Sequence, residues 1–412
     1  MEQKILYVAP ILPKRSETFV YREILGLREL GLKILTASLY TPESDLGSPA
    51  TDQLAKETIT IFTNGWEALL RHALLFEITH PIQAWLTYGL TLRDILLASD
   101  LTPFKRFKLY PQCLAALALA WRLRQSAPTH IHAHFAHSSA TIAMYAANAL
   151  RIPFSFTGHA ADLFRKRSLL KEKLIRAKFV VAISHWHQSF YQNIHNRPES
   201  DYPIIRCGVD VPSNPPKPRT TQERFQILAI GRLIPKKGFD VLLKAAKALS
   251  EKNFPLSIRI AGNGPELPYL QQLAQGLSVE FLGAVNHSTI PQLLANCDLF
   301  VLPCKIANDG DRDGIPVALM EAMAAGVCVI AGNLPTITEL VEDKVSGWLV
   351  PPDDPTSLAN SILHLAQNED LRNQLAINGW RKVLAQFSSA TNLANLKARF
   401  LQSTPNELSP VQ

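Results

Sequence analysis

Two doubly wound α/β domains, each of the Rossmann-like kind, are what this sequence predicts. The chain has 412 residues, more than one ordinary core holds. A strand–loop–helix–strand order opens it, and after a proline-rich stretch the same order begins again. A content of 47% hydrophobic and 19% charged residues describes a folded chain rather than a disordered one.

Lys4–Ala9 reads as a buried strand closed by Pro10 and Pro13. Thr18–Gly31 follows as an amphipathic helix, with Phe19, Ile24, Leu27 and Leu30 at helical spacing and Gly31 as its C-cap. Lys33–Leu39 is the second strand. In such domains ligands sit outside the carboxyl ends of the strands. That makes Arg15, Ser16, Glu17 and Thr18 candidate contacts, with Ser16 as either a ligand contact or a helix cap.

Residues 65–125 change texture. Trp66, Leu69, Leu70, Leu74, Trp85 and Leu86 stand among Arg71, Arg93, Lys105, Arg106 and Lys108. Apolar faces rimmed by basic residues suit anionic lipid, and helices packed on the sheet are the alternative. His130-Ile-His132-Ala-His134 then alternates like a strand end. Its spacing is compatible with zinc, but no nearby carboxylate completes a ligand set, so no metal is expected. Ser138–Leu150 is an Ala-rich helix and Pro153–Thr157 a strand. The strand runs into Gly158-His159-Ala-Ala-Asp162, which puts His159 at the sheet's carboxyl edge. Lys178–Ser184 is a further strand, with a helix from His185.

Pro212–Pro218 is the expected linker, stiff and without a hydrogen-bonded ladder. The expected domains are 1–211 and 219–385, with a C-terminal helix in 386–412 crossing back to the first. Beyond the linker, strands are expected at Phe225–Ile230, Leu256–Ala261, Val279–Leu282, Leu299–Leu302, Cys328–Ala331 and Trp348–Val350. Helices are expected at Phe239–Leu249 and Ile290–Ala295.

The chemistry-bearing residues gather in three loops of this half. Arg232 and Lys237 lie on a glycine-bounded loop, where a guanidinium fork and an ammonium converge on a phosphate. Gly262-Asn263-Gly264-Pro265 lets the backbone approach a flat ligand. Asp313-Gly-Ile-Pro-Val-Ala-Leu-Met-Glu321 places two carboxylates around a helix start near Pro316. The free N–H groups of Ile315, Pro316's neighbour Val317 and Ala318 favour an anion there. Together the loops outline a pocket for a nucleotide diphosphate.

A net charge of +7 suits acidic partners, but no run of Arg/Lys with interleaved aromatics points to nucleic acid. Cys113, Cys207, Cys297, Cys304 and Cys328 are scattered and odd in number, which predicts free thiols in a reducing compartment. The first strand is too short for a secretory signal, and the longest apolar run, Cys113–Trp121, is far below the ~20 residues a membrane helix needs. A protein of the cytoplasm, or one attached to the cytosolic face of a membrane, is expected.

The second half resembles the donor domain of the retaining family-4 glycosyltransferases, which have the two-Rossmann-domain GT-B architecture with facing domains and a cleft between them. The matching segments are Gly231-Arg232 with Lys237-Gly238, Ala261–Glu266, Asp313–Glu321, and Gly347–Val350 with Pro351-Pro352-Asp353. In the first half, Ser16–Val20 and Phe156–Asp162 resemble the branch that builds bacterial exopolysaccharide, including colanic-acid-type enzymes. The resemblance implies that Arg232 and Lys237 hold the donor diphosphate, Glu321 the ribose, and the backbone at Ile315–Val317 a phosphate. It implies sugar contacts from Asp313, where the family usually has Glu, and from His159. The implied substrates are a nucleotide-diphosphate sugar and a hydroxyl of a glycan or lipid-linked saccharide. No cofactor or metal is implied. Within enzymes the rivals are a sugar-nucleotide epimerase and a phosphorylase. A non-catalytic nucleotide-binding Rossmann protein is disfavoured, because neither half has G-x-G-x-x-G between its first strand and helix.

Overall fold

The computed structural model describes residues 3–63, 65–164, 167–217 and 224–402. They form two compact units. One runs to Arg206 and takes in the chain from Asn392 onward; the other is Cys207–Thr391.

The first unit is built on six strands: β1 (Lys4–Ala9), β2 (Lys33–Ser38), β3 (Ile59–Thr60), β4 (His130–His134), β5 (Phe154–Thr157) and β6 (Phe179–Val181). They pair in parallel in the order β3-β2-β1-β4-β5-β6. Strand order reverses between β1 and β4, the switch point where such sheets open a crevice. Ile5 through Val8 are fully buried, as a parallel sheet covered on both faces requires. The helix Thr18–Glu29 buries Val20, Tyr21, Ile24 and Leu27. Leu30, expected in that stripe, is exposed: the helix ends at Glu29, and Gly31 turns the chain away at φ +87°. The C-terminal helix Ser389–Gln402 lays Leu396 and Phe400 against the same sheet, Phe400 edge-on to Tyr7, His130 and His132. The rest of the expected 386–412 element, residues 403–412, lies outside the described residues.

On the opposite face lie the helices Gly65–Thr79, Pro81–Leu97 and Leu109–Leu123. The last buries Leu109, Cys113, the run Ala115–Ala120 and Leu123. The other two have an unusual distribution. In Pro81–Leu97 the inward positions are Ala84, Thr87, Thr91 and Asp94, and Asp94 pairs with Arg176 and accepts from Tyr145. The outward positions are Ile82, Trp85, Leu86, Leu92, Leu96 and Leu97. Gly65–Thr79 likewise exposes Trp66, Leu70, Leu74 and Ile78 at four-residue spacing. Among the described residues no helix is long and apolar enough to cross a membrane.

The second unit repeats the plan with β7 (Phe225–Ile230), β8 (Leu256–Ala261), β9 (Val279–Gly283), β10 (Leu299–Leu302), β11 (Cys328–Gly332) and β12 (Trp348–Val350). Their order is β12-β11-β10-β7-β8-β9, all parallel, so the switch point lies between β7 and β10. The boundary at Arg206 falls before the proline stretch, because Val209 bridges Ser388 and accepts from Ser389 N–H at 2.9 Å. Pro212–Lys217 then lies along this unit. Trp380 Nε1 donates to Pro212 O at 3.0 Å, and Pro216 packs on Gly326 so closely that a Cβ there would meet it at 2.0 Å. Pro218, the last residue of the expected linker, is outside the described residues.

Candidate functional site

In the second unit the loops after β7, β8 and β10 are interlocked backbone to backbone. Gly231 N–H donates to Ala261 O, Leu233 N–H to Asn263 O, and Glu266 N–H to Leu233 O, at 3.0–3.1 Å. A Cβ on Gly262 would lie 1.9 Å from Gly231 O, at a φ of +147° that side chains rarely adopt. Glycine is therefore required here for the loops to close. Gly264 is equally confined, its Cβ position 2.3 Å from Leu233 O, and Asn263 Oδ1 accepts from Gly264 N–H at 2.8 Å.

This packing folds Lys237 back over Gly231 and onto Asp313, with Lys237 Nζ 2.8 Å from Asp313 Oδ2. Lys236 Nζ lies 3.4 Å from the other carboxylate oxygen and 3.2 Å from Asp311. Cys304, two residues past the end of β10, donates Sγ–H to Asp313 Oδ2 at 3.2 Å, and Thr336 Oγ1 donates to Asp313 O at 2.8 Å. Burial alone would raise the Asp313 carboxyl, but the two lysines outweigh it and hold it below the usual aspartate range. Burial, and then Asp313, push the Cys304 thiol well up, so it stays protonated. The result is an aspartate engaged at both carboxylate oxygens and a lysine whose charge is preserved in a confined site.

The helix after this loop spans Val317–Ala324, with Pro316 as its N-cap and no side chain bonded across its start. Ile315 and Val317 are half-buried and Pro316 is buried beneath that start. Glu321, one turn on, has Oε1 2.9 Å from His287 Nε2. Arg232 is exposed and, among the described residues, meets no carboxylate. Of the residues singled out in this half, Lys237 and Asp313 are thus in contact. Arg232, Gly262–Gly264, Ile315–Val317 and Glu321 occupy the same carboxyl edge of the sheet. Lys236, Cys304 and His287 carry no signal in the sequence beyond standing beside such loops.

In the first unit His159 follows β5 and is 8% exposed. Gly158 admits no side chain, since a Cβ would meet Tyr191 Oη at 2.6 Å. The Asp162 carboxylate accepts from the N–H groups of Ala136, His159 and Ala160 at 2.7–3.2 Å, and the His187 ring donates Nε2–H to His159 O at 2.8 Å. The His159 ring lies between Phe19 and Phe135, with centroids at 4.6 and 4.9 Å. Phe135 adopts φ +69°, a strained conformation for an aromatic residue, as the chain leaves β4. His159 Nε2 is 3.1 Å from His134 Nδ1, and His134 Nε2 is 3.1 Å from Glu23 Oε1, which also accepts from Tyr7 Oη at 2.8 Å. Ser16 is exposed, and the cap position belongs to Glu17, which makes no side-chain cap bond; Ser16 is therefore not the helix cap.

The His130, His132 and His134 rings are all buried. His132 is held at both nitrogens, by Ser155 Oγ at 2.8 Å and Thr157 Oγ1 at 3.0 Å. Glu23, His132 and His134 do bring one ligand atom each within 4.8 Å of one another. A metal ion there would have to displace the hydrogen bonds just described. The carboxylate comes from the helix Thr18–Glu29, far away in sequence from the triplet.

Comparison with known proteins agrees with this architecture. The family described as Glycosyltransferase Family 4 matches residues 52–212, and that described as Glycosyl transferases group 1 matches residues 210–382. A glycosyltransferase of Escherichia coli K12 named for colanic acid biosynthesis, WcaL, is 36% identical over 175 residues, 41% of this chain and 43% of its own length. The amylovoran biosynthesis glycosyltransferase AmsK of Erwinia amylovora is 36% identical over 171 residues, 40% of this chain and 42% of its own. The chain thus spans less than half the length of these two relatives. Anabaena Alr3699/HepE, solved in complex with UDP-glucose, superposes with a TM-score of 0.69 over 97% of this chain and 100% of its own at 18% identity, a likeness of fold. Each half of the chain thus carries a matching glycosyltransferase family domain on its own six-stranded parallel sheet, and the chain is similar to family-4 glycosyltransferases of GT-B fold.

Proposed function

We propose that this protein is a retaining, metal-independent glycosyltransferase. It moves a sugar from a nucleotide-diphosphate sugar to a hydroxyl of a glycan or lipid-linked saccharide in bacterial cell-surface polysaccharide synthesis. The observation that carries the reading is the convergence at the β7/β10 switch point. A lysine held charged by Asp313, a loop cleared by Gly262 and Gly264, and a helix start without a side-chain cap meet at one sheet edge. Such a site fits a diphosphate.

In this reading Lys237 and Arg232 bind the diphosphate with the N–H groups at Ile315–Val317, Glu321 binds the ribose, and Gly262–Gly264 line the base. Asp313 and His159 contact the sugar. The bond from the anomeric carbon to the diphosphate oxygen breaks as the acceptor oxygen bonds the same face, and the acceptor's proton passes to the departing phosphate. Preorganised cations and amide dipoles stabilise the leaving charge. The colanic acid and amylovoran names of the relatives support an exopolysaccharide acceptor. A thermal-shift panel of UDP-, GDP- and ADP-sugars and NAD tests the site, since a true ligand raises the midpoint. Nucleotide release that requires a saccharide acceptor supports transfer. Release or isomerisation independent of acceptor would favour an epimerase.

Peripheral binding to the cytosolic face of an anionic membrane is the second part of the reading. It rests on Trp85, Phe104 and Phe107, 70–79% exposed, with exposed Arg71, Arg93, Lys105 and Lys108 among the surface helices. Such a surface suits an enzyme whose acceptor is lipid-linked.

A further inference from the structure

We propose that Glu23 and His134 are positioning residues that fix the proton on His159, so that His159 presents Nδ1 as a hydrogen-bond acceptor to a sugar hydroxyl. The inference rests on the reading of His159 as a sugar contact.

The argument starts from the acceptor at one end of the chain. Glu23 Oε1 receives two hydrogen bonds, from Tyr7 Oη at 2.8 Å and from His134 Nε2 at 3.1 Å. A phenol kept protonated by burial and by the adjacent Glu23 can only donate here. The carboxylate oxygen then requires a proton on His134 Nε2. In the proposal that is the only proton on the His134 ring, so His134 Nδ1 is a lone pair and the 3.1 Å contact to His159 Nε2 is a bond donated by His159. That assigns the proton of His159 to Nε2 and leaves Nδ1 as the acceptor. Among the described residues no group bonds His159 Nδ1.

Three features hold the relay in register. β4 and β5 pair with His134 opposite Thr157, the residue two before His159. The His134 and His159 rings are nearly parallel, 14° apart with centroids at 5.3 Å. Burial and the neighbouring His134, His187 and His137 keep His159 well below the usual histidine range, so a second proton does not blur the tautomer. The relay spans three elements meeting at the β1/β4 switch point: Tyr7 on β1, His134 on β4, and Glu23 on the intervening helix. A pair that merely filled the core would not need a carboxylate on one ring and an open nitrogen on the other.

The test uses the full chain with ¹⁵N-labelled histidine and long-range ¹H–¹⁵N correlation of the ring nitrogens. The expected result is an Nε2–H tautomer for both His134 and His159. Glu23→Ala and His134→Phe should release the His159 proton between its two nitrogens. Each should lower kcat for nucleotide release from UDP-glucose or GDP-mannose about tenfold or more, with the thermal shift by free UDP or GDP unchanged. Glu23→Gln, whose amide oxygen still accepts, should lose less than Glu23→Ala. The double variant should lose no more than either single one, as expected for residues acting through one path. An Nδ1–H signal on His159 in the wild type would overturn the proposal. So would wild-type kcat in Glu23→Ala and His134→Phe beside an impaired His159→Ala. A wild-type rate in His159→Ala would instead overturn the reading of His159 on which the proposal rests.

Discussion

Lys237 Nζ lies 2.8 Å from Asp313 Oδ2, joining the loop that leaves β7 to the loop that leaves β10. Burial opposes both charges, and their attraction outweighs it in each case, raising the lysine and lowering the aspartate. Lys237→Ala should therefore reduce nucleotide release by about 10²-fold, the scale of losing one preorganised donor to a leaving group. Lys236 remains beside Asp313, so the variant should still fold. Arg232→Ala, at an exposed position, should lower turnover more than tenfold with stability unchanged within about 0.5 kcal/mol. Steady-state kinetics with a thermal melt on each variant checks both statements.

Removing the aspartate has a different signature. Asp313→Ala leaves two lysines around a buried site and should cost about 3 kcal/mol in urea unfolding. Because its folded pKa is depressed, Asp313 stabilises the fold above the ordinary aspartate range. That contribution disappears as pH falls through the lower folded value. The gap between wild type and Asp313→Ala should shrink in acid, which unfolding curves at descending pH would measure.

Gly262→Ala is expected to disrupt the site from its backbone. The added Cβ would meet Gly231 O at 1.9 Å with φ at +147°. A loss of about 3 kcal/mol is expected, with UDP or GDP no longer raising the melting midpoint. Gly276→Ala, whose φ is also positive but whose surroundings are open, should leave the nucleotide shift intact.

The apolar surface of the first unit predicts salt-sensitive binding to vesicles containing phosphatidylglycerol. Trp85→Ser combined with Phe104→Ser should reduce sedimentation about tenfold or more, since each aromatic side chain contributes roughly 1.5–3 kcal/mol on leaving water. Lys105→Glu with Lys108→Glu should abolish the salt dependence. Pelleting indifferent to salt and lipid charge would refute the assignment.

The buried histidines give stability a pH dependence of their own. Burial lowers His130 to about 3, so the unfolded chain takes up this proton below about 6.5 while the folded one does not. Stability should fall as pH drops through that window, by about 1.4 kcal/mol per pH unit for each such histidine. His130→Phe fills the space beside Phe179 and Phe400 and leaves Ser155 bonded to His132. Its melting midpoint should therefore fall less steeply between pH 7 and 5.

Much of the candidate site was legible because it is written locally. Arg232, Lys237, Gly262, Gly264 and the Asp313–Glu321 spacing each sit at a strand end within a short window. Lys236, Cys304 and His287 were not, because each matters only through a partner brought near by sheet order. The outward-facing stripe Trp66, Leu70, Leu74, Ile78 repeats at helical spacing, but spacing alone does not say which face meets the sheet.

The sequence by itself determined the two α/β units, the edge at which the loops cluster and the residue types able to bind a diphosphate, since strand length, turn chemistry and charge are local properties. Only the tertiary structure decided that Asp313 is engaged by two lysines and a thiol rather than open to solvent. It also turned the histidine triplet from a possible metal signature into part of a hydrogen-bonded path from Glu23 to His159. These are contacts between residues distant in the chain. Their partners are chosen by strand order and register, which no short window of sequence contains.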